Sequence, residues 1–347
     1  MTRKDMFKFG VGTAMALALR GLEAVVCVIF FAMGAEADVA RDGGLPCLDS
    51  AGPYVCEYRK GVTLKKLVLE KPRRMVAHVV RVDLSASGVS FTGTERDPLW
   101  GRPMPDYTNE TWLVNTKRET TADFMMRRRG VGRNVEIAVN ACGWRPWGGA
   151  GCYSTYAALY RYAATEGREV SFGKDPERGV FFIVRRDGQV LIRPHVPVSM
   201  TNDVTIAVYG NRRILRRGVR TADADPAKAV DIHPRTAFGL SRDRKTFVIL
   251  AVDGRQPGYS EGATCADLAD LLLREGCADA INMDGGGSTS LVIYDRARNR
   301  PRMLNRHANG YVRKTALNLG LVFPPLRDDQ PEITSGMLPV WKCGQFQ

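Results

Sequence analysis

The sequence predicts an α+β fold, a single domain in which many short strands are mixed with a few helices. Three observations predict it. Apolar and polar residues alternate over 75–84, as in a half-buried strand. Runs rich in β-formers flank Asp187-Gly188 and Arg242-Asp243-Arg244, making hairpins of 179–192 and 236–252. One window, 264–276, changes to a helical period.

The elements follow in order. Residues 38–74 carry Gly, Pro and two Cys, and are expected to be an irregular lead-in. The strand over 75–84 has a possible partner in 88–93. Residues 97–110 are rich in Pro, Gly and Asn and read as a loop. A short helix is expected over 121–129, with Thr121 as N-cap and Gly130 as its stop. The strand 135–140 runs into a Gly- and Trp-rich loop, 141–151. The helix of 264–276 has Thr264 and Asp267 in capping-box-like spacing and Gly276 as its stop. A strand over 278–283 leads to Asp284-Gly285-Gly286-Gly287, and strands resume over 289–294 and 315–323. Residues 324–347 read as an irregular tail, which leaves 75–323 as the domain. Helices do not alternate regularly with strands, so a doubly wound parallel sheet is not expected.

The chain has 347 residues, enough to bury a substantial core, and 44% hydrophobic with 25% charged residues argues against disorder. Lys and Arg number 50 against 37 Asp and Glu, a formal net charge of +13. Such an excess attracts anions, phosphate-bearing sugars among them. The densest runs are Arg127-Arg128-Arg129, Arg185-Arg186 and 212–217, with acidic residues between them. That scatter means the charge alone names no partner.

Arg3, Lys4 and Lys8 precede an apolar stretch, a second apolar run follows Glu23, and Ala35-Glu36-Ala37 supplies a small-x-small site. This is the pattern of a secretory signal peptide over 1–37. The alternative is an uncleaved N-terminal anchor, although Arg20 and Glu23 interrupt the apolar run. Export, to the periplasm or beyond, is the expectation. Exported cysteines pair readily, and the nearest neighbours are Cys47–Cys56, Cys142–Cys152 and Cys265–Cys277, with Cys343 left over. The last pair is the weakest, because a helix is expected to hold its members apart.

Chemistry concentrates in Asn282-Met283-Asp284-Gly285-Gly286-Gly287-Ser288-Thr289-Ser290. Glycines between two strands let the backbone turn and approach a ligand, and their amides can cradle an anion. Asp284 adds a carboxylate, and Ser288 and Thr289 add hydroxyls. The spacing matches neither a P-loop nor a dinucleotide fingerprint. Upstream stand His233-Pro234-Arg235-Thr236-Ala237-Phe238-Gly239, then Val252-Asp253-Gly254-Arg255, then the Ser260, Gly262 and Thr264 of a helix start.

In this order and spacing the RTAxG strand, VDGR turn, SxGxT helix start and DGGGST loop resemble the phosphodiester glycosidase family. Val139-Asn140-Ala141 is similar to the family's earlier strand-end Asn motif, with Cys142, Gly143 and Trp144 where an aromatic Phe is usual. Residues 305–318 resemble its closing segment. The resemblance implies hydrolysis of the sugar C1–O bond of a sugar-1-phosphodiester. Candidate catalytic carboxylates are Asp284, Asp253 and Glu261. Arg235 and Arg255 are candidates for bidentate phosphate contact. Asn140, Thr236, Gly285, Gly286, Ser288 and Thr289 complete the substrate-binding set. Arg235 has a structural alternative, an ion pair with Asp253 or Asp284. Clustered carboxylates can take magnesium or calcium, but the glycine loop lacks alternating Asp/Asn ligands, so no metal or cofactor is expected. Nor is nucleic acid an expected partner. Two other functions stay open: a metal-dependent phosphodiesterase cutting P–O, and a catalytically silent glycan-binding module.

Overall fold

The computed structural model describes residues 45–107, 112–146, 155–308 and 310–326. The expected signal peptide over 1–37, Cys152, Cys343 and the tail beyond 326 lie outside the described residues. Strands dominate. The largest sheet has eight, in the order Tyr54–Arg59, Val62–Leu69, Met75–Asp83, Thr246–Val252, Arg235–Ser241, Cys277–Asn282, Arg212–Arg216 and Val219–Arg220. Each is antiparallel to its neighbours. A second sheet runs Arg300–Met303, Leu291–Asp295, Val135–Asn140, Asn318–Val322 and Ser90–Gly93. A third sheet, of five strands, has Val204–Gly210 at its centre and the predicted hairpin Val180–Arg185 and Val190–Arg193 at one edge, and a fourth has three short strands.

Alternation along the central strands feeds two cores, because successive side chains point to opposite faces. On one face Ala77, Val79, Ala237, Val248, Leu250 and Ala280 pack with Leu268, Ala269 and Leu272 of the helix α2, Cys265–Arg274. On the other, Val80, Phe238, Phe247, Ile249 and Ile281 share a core with Ile137, Val139 and Leu291 of the second sheet. That sheet's other face carries Val135, Ala138 and Val292 against Phe124 and Met125.

The predicted capping box is present: Thr264 Oγ1 accepts from the Asp267 N–H at 3.1 Å, and the Asp267 carboxylate accepts from the Thr264 N–H at 2.7 Å. Such caps contribute about 1 kcal/mol. The cap of the other helix is shifted by one residue from expectation. Thr120 accepts from Asp123 N–H at 3.0 Å, while the Thr121 hydroxyl donates to Asn318 at 2.8 Å.

Three expectations are corrected. The balance of α and β is weighted further towards sheet than the α+β reading held, and one cause lies in the supposed lead-in. There, Tyr54–Arg59 and Val62–Leu69 are full members of the largest sheet. Lys65 and Lys66 hide the second strand from a reading of hydropathy; Lys65 points to Glu275, at 2.7 Å. Secondly, 88–93 does not pair with 75–83. Ser90–Gly93 pairs with Asn318–Val322 in the other sheet, and Met75–Asp83 takes Val62–Leu69 and Thr246–Val252. Thirdly, Cys265, the first residue of the helix Cys265–Arg274, and Cys277, just past its other end, are free thiols, as is the buried Cys142, whereas Cys47 and Cys56 form a disulfide.

Candidate active site

The glycine loop is the crossing point between the two large sheets. Cys277–Asn282 belongs to the first, Leu291–Asp295 to the second, and a short 3-10 turn, Gly286–Ser288, lies between them. Backbone hydrogen bonds fasten the loop to neighbouring strand ends: Met283 N–H to Thr236 O at 2.8 Å, Asp284 N–H to Ala141 O at 2.9 Å, and Gly286 N–H to Pro234 O at 2.8 Å. The close approach explains the glycines. Gly286 has φ +62°, and a Cβ there would stand 3.3 Å from the Arg255 guanidinium; at Gly287 a Cβ would come within 2.7 Å of the Arg313 guanidinium. Two cations therefore lie against the loop.

Asn140 and Thr236 are fully buried. The Thr236 hydroxyl donates to Asn140 Oδ1 at 2.8 Å, the Ser290 N–H donates to the same oxygen at 3.0 Å, and Asn140 Nδ2 donates to Asp284 O at 2.8 Å. The side-chain amide of Asn140, expected in the substrate-binding set, makes its hydrogen bonds to the protein's own loop and to Thr236. Asn140 positions Asp284.

Asp284 is buried, and its Oδ2 has no hydrogen-bond partner; neither do the buried hydroxyls of Ser288 and Thr289. Burial pushes the Asp284 carboxyl up to about 6, opposed by the nearby Ser288 hydroxyl, the Gly285 N–H and the Arg313 charge. Unpartnered buried polar atoms are costly and call for an explanation. Here three of them sit in one loop.

Asp253, also fully buried, is the opposite case. Its Oδ1 accepts from the Arg306 N–H at 2.9 Å, and its Oδ2 from the Tyr259 hydroxyl at 3.0 Å, with His78 Nε2 at 3.2 Å. The Ser260 hydroxyl donates to its carbonyl at 2.7 Å and accepts from Val76 N–H at 3.0 Å. This carboxylate ties together the Met75–Asp83 strand, the 253–260 turn and the 305–313 segment.

The remaining candidates divide. Arg255 lies against Gly286 with its backbone at φ +58°, and its guanidinium meets His233 Nδ1 at 3.3 Å. Arg235 makes no ion pair with Asp253 or Asp284; it donates to Ala263 O at 3.1 Å and Asp231 O at 2.7 Å. Glu261 has an exposed side chain, and its recorded ties are backbone ones, to Arg255 and Arg74. Among the described residues no three His, Cys, Asp or Glu side chains gather as a metal site would require.

Sequence reasoning missed His78, Tyr259, His307 and Arg313. Burial lowers the His307 pKa, and both its ring nitrogens are buried without hydrogen-bond partners; it feels the charges of Asp253 and Arg313. The Arg and His content of the 305–313 segment is its one signal in the sequence, and only folding sets Arg313 against Gly287.

With this geometry in place, the phosphodiester glycosidase family model matches residues 135–320, more than half of the chain. The chain belongs to the phosphodiester glycosidase family. A curated relative, the SPbeta prophage-derived uncharacterized protein YomE of Bacillus subtilis (strain 168), is 29% identical over 237 residues. The match takes in 62% of this chain and 31% of the relative, so the chain spans about a third of that protein's length. Two solved structures share the fold. The catalytic domain of zebrafish N-acetylglucosamine-1-phosphodiester alpha-N-acetylglucosaminidase, auto-inhibited by its pro-peptide, has a TM-score of 0.50 at 17% identity, over 80% of this chain and 85% of that one. A hypothetical protein from Synechocystis has a TM-score of 0.52 at 12% identity, over 80% and 64% of the two chains.

Proposed function

We propose that this chain hydrolyses the glycosidic C1–O bond of a sugar-1-phosphodiester, releasing the free sugar and a phosphomonoester. The observation that carries the reading is the unpartnered, buried Asp284 oxygen in a loop flanked by two guanidiniums. Arg255 and Arg313 hold the phosphate, for which planar forks suit its oxygens. Asp284, ionised above about pH 6, faces the sugar and stabilises the positive charge that develops at C1 as the bond breaks. The bonding electrons leave with the phosphate oxygen, and water supplies the new oxygen at C1. Phosphate is a stable anion, so little proton donation to the leaving group is needed. The Ser288 and Thr289 hydroxyls meet sugar hydroxyls. Asp253 keeps the 305–313 segment in place and takes no part in bond breaking.

The signal-peptide pattern of 1–37 is the sequence's argument for an extracytoplasmic substrate, and the Cys47–Cys56 disulfide fits an oxidising compartment. Among the described residues no helix is long and apolar enough to cross a membrane. Purified protein, incubated with sugar-1-phosphodiesters in heavy-oxygen water, should place the label on the sugar. Label on the phosphate would instead mean P–O cleavage. Binding without turnover of any such compound would point to the silent glycan-binding module.

A further inference from the structure

The basic run 212–217, left unused above, contributes to a cavity of about 440 Å³ lined by Ile192, Arg193, Pro194, His195, Arg213, Arg216, Arg217, Arg244 and Asp279. It lies at the other end of the sheet from the glycine loop. Cys277 pairs with Ser241 at that end, whereas the loop leaves from Asn282, which pairs with Ala237. Asp279 and Asp284 are about 15 Å apart at the rise of an extended chain.

Five arginines face one carboxylate there. Asp279 is engaged by Arg213, at 2.6 Å. Among the described residues the guanidiniums of Arg193, Arg216, Arg217 and Arg244 have no carboxylate partner. Four uncompensated cations around one concavity attract an anion strongly. Two of them also occupy unusual backbone positions. Arg217 has φ +53° and Arg244 φ +60°, where glycine or asparagine is the ordinary occupant. Arg217 and Gly218 are the two central residues of a tight turn between paired strands, a place where Asn-Gly is the common choice. Folding does not ask for arginine at either turn.

The chemistry of the lining selects the ligand. Guanidinium forks match phosphate oxygens, and the volume admits more than a bare phosphate. Pro194, exposed at the cavity wall, offers apolar surface for an attached sugar ring. His195 is the one aromatic ring in the lining, short of the successive aromatic platforms on which a nucleic-acid strand stacks its bases. We propose that this cavity is a second site, which binds a phosphate group carried by a glycan and anchors polymeric substrate away from the glycine loop. The choice of a glycan rests on the function proposed above; the anion site itself rests on the arginines.

Calorimetry with a short sugar-phosphodiester oligomer, on the Asp284→Asn protein so that turnover is slow against the titration, tests it. Adding Arg217→Asn and Arg244→Asn should weaken binding at least tenfold and flatten its salt dependence. Asparagine is at home at positive φ, so the melting temperature should hold or rise, which separates lost binding from lost fold. In the protein with Asp284 restored, the same pair should raise KM for the oligomer and leave turnover of a one-unit sugar-1-phosphodiester unchanged. Unaltered affinity in the double variant would overturn the site. Equal or tighter binding of an oligonucleotide with the same number of phosphates would overturn the glycan assignment. An enzyme inactive on every sugar-1-phosphodiester would count against the proposed reaction alone, because the binding measurement needs no turnover.

Discussion

Asp253 and Asp284 stand just past the ends of two strands of the largest sheet that Arg235–Ser241 separates, both buried, yet their surroundings differ in kind. Each oxygen of Asp253 has a partner from the protein, drawn from three separate segments. Asp284 keeps one oxygen unpartnered, in a loop with two unpartnered hydroxyls. A buried carboxylate that is fully hydrogen-bonded stabilises the ionised form and the fold around it; one left short raises its own pKa and costs stability. Under the proposed reaction, counting partners assigns Asp253 to the scaffold and Asp284 to the reacting role, although the two come from motifs of similar character.

The largest expected effect is on turnover. Asp284→Asn preserves the shape of the loop and removes the charge, so kcat should fall by about 10²-fold or more. Its stability should move the other way. The folded carboxyl titrates near 6, above its value of 3.8 in the unfolded chain. Its contribution is therefore fully present below pH 3.8 and is lost as pH rises through about 6. Wild type should thus gain less stability than the Asn variant above pH 6, by up to about 3 kcal/mol, read as a higher melting temperature for Asp284→Asn at pH 8 and none at pH 3.5. A variant that melts lower at pH 8 would make Asp284 structural and erase the comparison.

The pH profile sharpens the same point. If the ionised Asp284 is required, kcat/KM should fall about tenfold per pH unit below about 6. A profile flat down to pH 4.5 would move the reacting role to a carboxylate of ordinary acidity.

Asp253→Asn should act on the fold. It leaves the Tyr259 hydroxyl and the Arg306 N–H with a weaker acceptor, for a loss of roughly 2 kcal/mol, measured by denaturant melting, while the folded fraction retains most of its turnover. A stable Asp253→Asn protein without activity would reverse the two roles.

The two arginines give the smallest contrast. Arg313→Lys loses the planar fork beside Gly287 and should raise KM about tenfold with kcat little changed. Arg235→Lys, at a side chain already bound to two backbone carbonyls, should change KM by less than about twofold. Equal effects from both would return Arg235 to the phosphate.

Local patterns in the sequence were enough for the capped helix after Thr264, both hairpins, the strand before Asn140 and the glycine loop with its aspartate. All of these depend on residues near one another in the chain, through side-chain period, cap spacing and turn chemistry. The tertiary structure decided the rest. It recruited Val62–Leu69 to the largest sheet despite two lysines, sent Ser90–Gly93 to the other sheet, and turned Asn140 inward to serve a backbone. It also brought His307 and Arg313 beside a loop some twenty residues earlier. Strand partners and the satisfaction of buried polar groups are properties of distant segments in contact, so no window of sequence holds them.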